Sequence, residues 1–178
     1  KREGSGMKLY LVEIGGMRDG NLFECHEVHA LVAASEEQLI FECQSRFAGA
    51  MRAAHLDGWI ELELEDRSSE GRRSGPSFYV AELGRNSARA MREEHDYRFL
   101  NAASLREAVQ AARQGAPGWH VDACVNLDDL AREAVCPDAP QRQCGGRLLA
   151  SAQQCGGGVG LQDRAVMGWV HRGVMLGK

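Results

Sequence analysis

Glu24-Cys25-His26-Glu27 is answered by Glu93-Glu94-His95-Asp96 at a constant shift of 69 positions (24 to 93, 26 to 95). The match extends both ways without a gap. Upstream, Leu9-Tyr10-Leu11-Val12-Glu13-Ile14-Gly15 answers Phe78-Tyr79-Val80-Ala81-Glu82-Leu83-Gly84. Downstream, Ala33-Ala34-Ser35 answers Ala102-Ala103-Ser104. A second pair, His55-Leu56-Asp57 and His120-Val121-Asp122, is 65 positions apart (55 to 120), so the second copy is the shorter. Self-similarity at a fixed spacing marks one supersecondary unit used twice.

The unit can be read from its first copy. Leu9 to Ile14 is rich in β-formers and reads as a strand, and Gly15-Gly16 and Asp19-Gly20-Asn21 supply a loop. A second strand from Phe23 to Val32 follows through a short connection, which makes the two antiparallel. Ser35-Glu36-Glu37-Gln38 has the form of a capping box, with Ser35 accepting the amide of residue 38 and Gln38 reaching back; Ser104-Leu105-Arg106-Glu107 repeats it. The first helix places Leu39, Ile40, Cys43 and Phe47 on one face; the second places Leu105, Ala108, Val109 and Ala112 there.

His-x-Asp and an alternating strand come next. Leu56, Ile60, Leu62 and Leu64 would form one face and Asp57, Trp59, Glu61 and Glu63 the other. In the second copy Val121, Val125 and Leu127 stand against Asp122, Cys124 and Asn126. Each copy is therefore ββαβ, its helix a crossover that leaves the second and third strands parallel.

These readings predict an α/β (α+β) fold. Residues 7–66 form the first repeat, 67–77 a polar linker, 78–136 the second repeat, and 137–178 an irregular extension containing Gly and Cys. One ββαβ unit buries its edges poorly, so two are expected to pair into one mixed sheet of about six strands with both helices on one face. The seam between them is the natural place for a cleft. In the extension, a short helix around Arg147 to Gln154 and a strand around Ala165 to His171 can be drawn, within a loosely packed appendage.

The bulk properties narrow the function. With 178 residues, 44% hydrophobic, 26% charged and a net charge of −4, the chain is an ordinary globular protein with no basic face for nucleic acid. The Arg72-Arg73 pair sits beside Glu65, Asp66 and Glu70 and reads as a solvated linker. No apolar run is long enough to span a membrane, and the polar start Lys1 to Gly6 is not a signal peptide, which points to the cytoplasm. Six cysteines without a Cys-x-x-Cys read as free thiols in that compartment, those of the tail (Cys136, Cys144 and Cys155) being the most open to reagents.

Chemistry concentrates in the repeated acids and imidazoles. Glu24 and His26 lie two apart on a strand and leave the same face, as do His55 and Asp57; their counterparts are Glu93, His95, His120 and Asp122. Val28 and Ala30 continue that face in one copy, Tyr97 and Phe99 in the other, so the cluster begins an apolar row. The default reading is structural, acid–imidazole hydrogen bonds satisfying polar groups at a strand end. A metal site and general acid–base catalysis compete with it, since imidazole and carboxylate suit zinc or iron and also move protons.

Other candidates are weaker. His29 has Arg98 as its counterpart and reads as a surface residue, Glu13 and Glu82 as solvated or capping acids, and Trp59 and Trp119 as packing groups. Cys25 faces away from His26, which excludes a Cys–His dyad. No Gly-x-Ser-x-Gly elbow is present, and Gly156-Gly157-Gly158-Val159-Gly160 lacks the Lys-Ser/Thr of a phosphate loop.

Leu9–Gly16, Glu24-Cys25-His26-Glu27 and His55-Leu56-Asp57, with the second-copy Glu-x-His and His-x-Asp elements and Val125-Asn126-Leu127-Asp128-Asp129-Leu130, resemble the bacterial domain-of-unknown-function family 1543. The resemblance covers about residues 7 to 136. It implies one or two copies of a small bacterial α/β domain in the cytosol and carries no activity. This chain departs from the family pattern at Glu27, where Asp is usual, at Gly84-Arg85 in place of Gly-Gly, and in everything after Cys136.

The expected function is a cytosolic binding or interaction module. Glu24, His26, His55, Asp57, Glu93, His95, His120 and Asp122 would line the repeat seam, and a small metal-dependent or acid–base enzyme using them is the rival. The sequence names no cofactor, metal, small-molecule or protein partner, and a homodimer is one assembly open to it. A convergent cluster open to solvent would favour the rival; separately paired, closed side chains would favour the structural reading.

Overall fold

The computed structural model describes residues 6–66, 75–135, 147–149 and 170–176. Most of the expected linker, and Cys136, Cys144, Cys155 and the glycine run of the tail, lie outside them. The chain is of the α+β class and divides into two units, residues 1–64 with 167–178 and residues 65–166.

In the first unit, β1 (Lys8–Met17) lies between β2 (Cys25–Ala33) and β3 (Arg52–Asp66). Both neighbours are antiparallel to β1, so β2 and β3 run parallel to one another on either side of it. Helix α1 (Glu36–Phe47) makes the connection across β1. Ser35 Oγ accepts the Gln38 amide at 3.3 Å, and Gln38 Oε1 accepts the Ala34 amide at 2.9 Å. The box thus closes one residue further upstream than its standard form. Leu39, Cys43 and Phe47 bury against Tyr10, Val12, Ile14, Leu31, Ala33, Leu56 and Trp59 of the sheet, and Ile40 packs at the margin.

The second unit has the same element order. Strand β4 (Ser77–Arg85) lies between β5 (Glu94–Ala102) and β6 (His120–Asn126), again with antiparallel ladders. Helix α2 (Leu105–Gln114) is capped by Ser104 from the Glu107 amide, while Glu107 accepts the Ala103 amide at 3.1 Å. Ala108 and Ala112 bury against Tyr79, Ala81, Leu83, Leu100 and Ala102. Leu105, expected on that face, is 52% exposed.

Four expectations are corrected. The strands form two antiparallel sheets, not one mixed sheet. The outer edge of β3 is taken by β8 (Val170–Met175), which pairs with His55 to Trp59. The C-terminal segment is therefore not wholly a loose appendage: Leu176 is buried in the first core, and its amide donates to the Ala54 carbonyl at 2.9 Å. Arg147–Leu149 is a short strand, β7, where a helix was expected. Leu127 does not continue β6 but opens a third helix, α3 (Leu127–Val135), which Asn126 caps by accepting the Asp128 amide at 3.0 Å. Asp128, fully buried, accepts the Phe78 amide at 3.1 Å and ties α3 to the start of β4.

The strict alternation read along the third strand of each unit also fails, for one reason in both. The register shifts between Glu13 and Ile14 opposite β3, leaving Asp57 without a ladder partner, and between Glu82 and Leu83 opposite β6, leaving Asp122 without one. Each is a bulge, an extra residue that reverses the facing of everything beyond it. Trp59 consequently joins Leu56 in the core, Cys124 joins Val121, and Val125 turns outward.

Candidate metal-binding sites

The middle strand of each sheet carries a glycine where the sites form. Gly15 is paired with His26 on one side and His55 on the other; Gly84 is paired with His95 and His120. Ile14 and Leu83 face the helices, so the glycines open on the opposite face of each sheet. Strands are spaced about 4.8 Å apart, so two histidines flanking a central strand start about 10 Å apart at Cα. Their rings can lean together only if the residue between them has no side chain. A Cβ on Gly15 would lie 2.8 Å from Asp57 Oδ2 and 2.8 Å from Glu24 Oε1 and closer still to His55 Nε2. On Gly84 it would meet Asp122 Oδ2, and His120 Nε2 at 2.7 Å.

In the first unit His55 Nε2 is 2.9 Å from Glu24 Oε1 and 3.2 Å from Asp57 Oδ1. His26 Nε2 is 3.4 Å from Asp57 Oδ2 and 4.0 Å from Glu24 Oε1. The second unit repeats the set: His120 Nε2 is 2.8 Å from Glu93 Oε1 and 3.1 Å from Asp122 Oδ1, and His95 Nε2 is 3.6 Å from Asp122 Oδ2 and 3.8 Å from Glu93 Oε2. All eight residues singled out from the sequence are thus gathered, four in each unit. Each set belongs to its own sheet; the structure makes no seam of them.

Two local devices aim the rings. The bulge at Asp57 frees that residue from the ladder with β1, on the same side of the strand as His55. His55 Nδ1 donates to the Ala53 carbonyl at 3.0 Å, which fixes Nε2 as the atom turned to the carboxylates. Ala53 adopts φ 55 to present that carbonyl, and Gly118, the residue two before His120, has φ 82. This carbonyl is the first reason the His55 imidazole holds its proton above the ordinary range, with the Asp57 and Glu24 charges adding and burial opposing. Asp57 Oδ2 is closed to water and makes no hydrogen bond among the described residues.

The cluster is not sealed. His26 is 43% and His95 45% exposed at the side chain. Val28, expected to begin an apolar row beside the site, is exposed too, whereas Phe99 is buried against Phe78.

Residues set aside by sequence reasoning prove to have contacts. His29 stacks on Phe47 with ring centroids 4.6 Å apart and approaches Glu27 at 3.2 Å, while Arg98 donates to the Gly115 carbonyl at the end of α2. Arg98 is a cation placed where the dipole of a helix C-terminus favours it. Glu82 accepts the Tyr97 hydroxyl at 3.3 Å on the same face as the second site. Trp59 is a core residue, and Trp119 is partly buried beneath the Arg85 guanidinium, 4.5 Å from the ring centroid. Cys25 faces the core and its thiol donates to the Gly16 carbonyl, so it is not a partner of His26. Cys25, Cys43 and Cys124 are free thiols. No helix among the described residues is long and apolar enough to cross a membrane.

Compared with protein-family models, with curated proteins and with solved structures, the chain matches none.

Proposed function

We propose that this protein is a metal-binding module, two copies of one ββαβ unit that each hold a divalent transition-metal ion through two imidazoles and two carboxylates. One observation carries this reading: the Nε2 atoms and carboxylate oxygens converge in both units, over a glycine that leaves them room. Hydrogen-bonded pairs serving only the fold have no need of that focus. Two carboxylates and two neutral imidazoles bear a formal charge of −2, which a divalent ion neutralises. Nitrogen and oxygen donors together suit zinc, iron(II) or manganese. The resemblance to family 1543 assigns no activity and leaves the reading to rest on the site.

A second reading, a small metal-dependent enzyme, is favoured by the exposure of His26 and His95. Structural metal sites are closed by four protein ligands, whereas catalytic ones keep a position open to solvent.

Elemental analysis of protein purified without an affinity tag tests the proposal. About one equivalent of metal per unit is expected, with a melt that chelator lowers in the wild type and leaves unchanged in His26→Ala/His95→Ala. No bound metal and a chelator-blind melt, with the double variant merely less stable, would return the histidines to a structural role.

A further inference from the structure

The two donor sets match, so the residues one row along each sheet bear on what the sites do. On the central strand of each unit, two residues before the glycine and on the same face, stands a further carboxylate: Glu13 before Gly15, and Glu82 before Gly84. Both are half-buried. Glu13 is paired with Val28 and Gly58, neither of which offers a polar side chain. Glu82 is paired with Tyr97 and Ala123 and accepts the Tyr97 hydroxyl at 3.3 Å. A carboxylate drawn half out of water calls for a donor or a cation beside it, and the row itself supplies one phenol, in one unit.

Strand residues two apart are separated by about 7 Å at Cα, and their side chains stand roughly perpendicular to the sheet. Glu13 and Glu82 therefore stand beside their clusters rather than within them. That separation suits an acid acting on a water or substrate oxygen between itself and the cluster, and it is long for a fifth ligand. Charge narrows the substrate. The two carboxylates of a cluster and a divalent ion sum to zero, so the additional acid leaves a formal charge of −1, which disfavours an anion. Beyond Glu82 the same face continues to Val125, which is 39% exposed and offers an apolar rest for an uncharged acyl group.

We infer that Glu13 and Glu82 are the general bases of a hydrolytic reaction on an uncharged carboxylic ester, with Tyr97 the positioning residue of Glu82. The glutamate takes a proton from water, and the water oxygen bonds to the carbonyl carbon. The ester C–O bond then breaks, and the alcohol oxygen leaves with that proton, which restores the carboxylate. An ion held at the cluster would polarise the carbonyl. The inference rests on the metal-binding reading and adds the reaction and its base.

Hydrolysis of p-nitrophenyl acetate by the full chain, stripped with chelator and reloaded with zinc, tests it. The rate above that of the stripped protein is compared among the wild type, Glu13→Gln, Glu82→Gln and the double variant. Glu61→Gln serves as control, because Glu61 accepts the Tyr10 hydroxyl on the helix-covered face of the first sheet. The double variant should lose about 100- to 10,000-fold in kcat while binding as much zinc as the wild type. Each single variant should keep the rate of the other unit, and Glu61→Gln should change nothing. Tyr97→Phe, added to Glu13→Gln, should lower the remaining rate several-fold with zinc uptake unchanged. p-Nitrophenyl phosphate should turn over more slowly than the acetate; a faster rate would overturn the preference for an uncharged substrate. Zinc lost with either glutamate would make that residue a ligand and overturn its role as base. An unchanged rate in the double variant, or no zinc-dependent rate in a wild type that binds zinc, would overturn the reaction and leave the metal sites standing. A wild type that takes up no zinc would overturn the metal-binding reading as well. Should the double variant fail to fold, Glu13→Gln and Glu82→Gln decide, each for its own unit.

Discussion

Gly15 shows how much a missing atom can decide. The space its Cβ would fill is occupied by oxygens of Glu24 and Asp57 and by the His55 ring, and Gly84 stands in the same relation to Asp122 and His120. Gly15→Ala should therefore lower metal affinity by about 10- to 100-fold, the scale on which displaced ligands and their partners act. Gly49→Ala, whose added methyl meets nothing within 4 Å, should change it little; equal effects would show that the site tolerates a filled centre. Ala53 supplies the converse test. An L-residue in the left-handed region is strained by roughly 1–2 kcal/mol, so Ala53→Gly should recover part of that in a urea melt, and Gly118→Ala should lose stability.

Cys43 is a residue-scale test of the core: burial pushes its thiol from an ordinary value of 9.0 up to about 11. The folded state thus holds a proton that the unfolded chain releases near pH 9, so stability should be complete below that pH and fall as pH rises through 9 to 11. Iodoacetamide at pH 8 should leave Cys43 unmodified until the protein is unfolded.

The helices are the elements that single residues specify most fully, and they were also the most legible. Ser35 and Ser104 cap them, Gln38 and Glu107 close the boxes, and the apolar spacing points the same way. Ser35→Ala should cost about 1 kcal/mol, and Leu39→Ala about 2–5 kcal/mol because its cavity opens in the packed layer between α1 and the sheet. The third strands were less legible. A bulge is one extra residue with no sequence signature of its own, so period-two reading assigned Trp59 and Val125 to the wrong faces. The same bulges free Asp57 and Asp122 from the ladders beside His55 and His120. All eight donors could be named from their spacing, but their convergence could not, because it arises from Gly15 and Gly84 on a strand that carries no donor. The matched glycines were the available signal, visible as the last residue of the repeated strand segment.

At the scale of the whole chain, the pairing of β8 with β3 joins residues more than a hundred positions apart, His55 with Met175 and Trp59 with Val170. No local pattern announces such a pairing, and the short strand follows a Gly-rich stretch that argues for an irregular tail. What calls for it is the backbone: an uncovered edge of β3 would present a row of unpaired amides and carbonyls beside the first site. Leu176 then closes the core from below the Ala54 carbonyl it is bonded to. Leu176→Ala should cost about 2–5 kcal/mol as a fully buried leucine does, and Leu176→Asp more. Amide hydrogen exchange can separate packing from mere chain attachment. In Leu176→Ala the β3 amides from His55 to Trp59 should lose protection together with those of β8, and zinc binding at the first site should weaken because His55 and Asp57 ride on that edge. Unchanged protection of β3 in the variant would mean that β8 rests on the sheet without holding it, and that the first site is positioned by β1 and β2 alone.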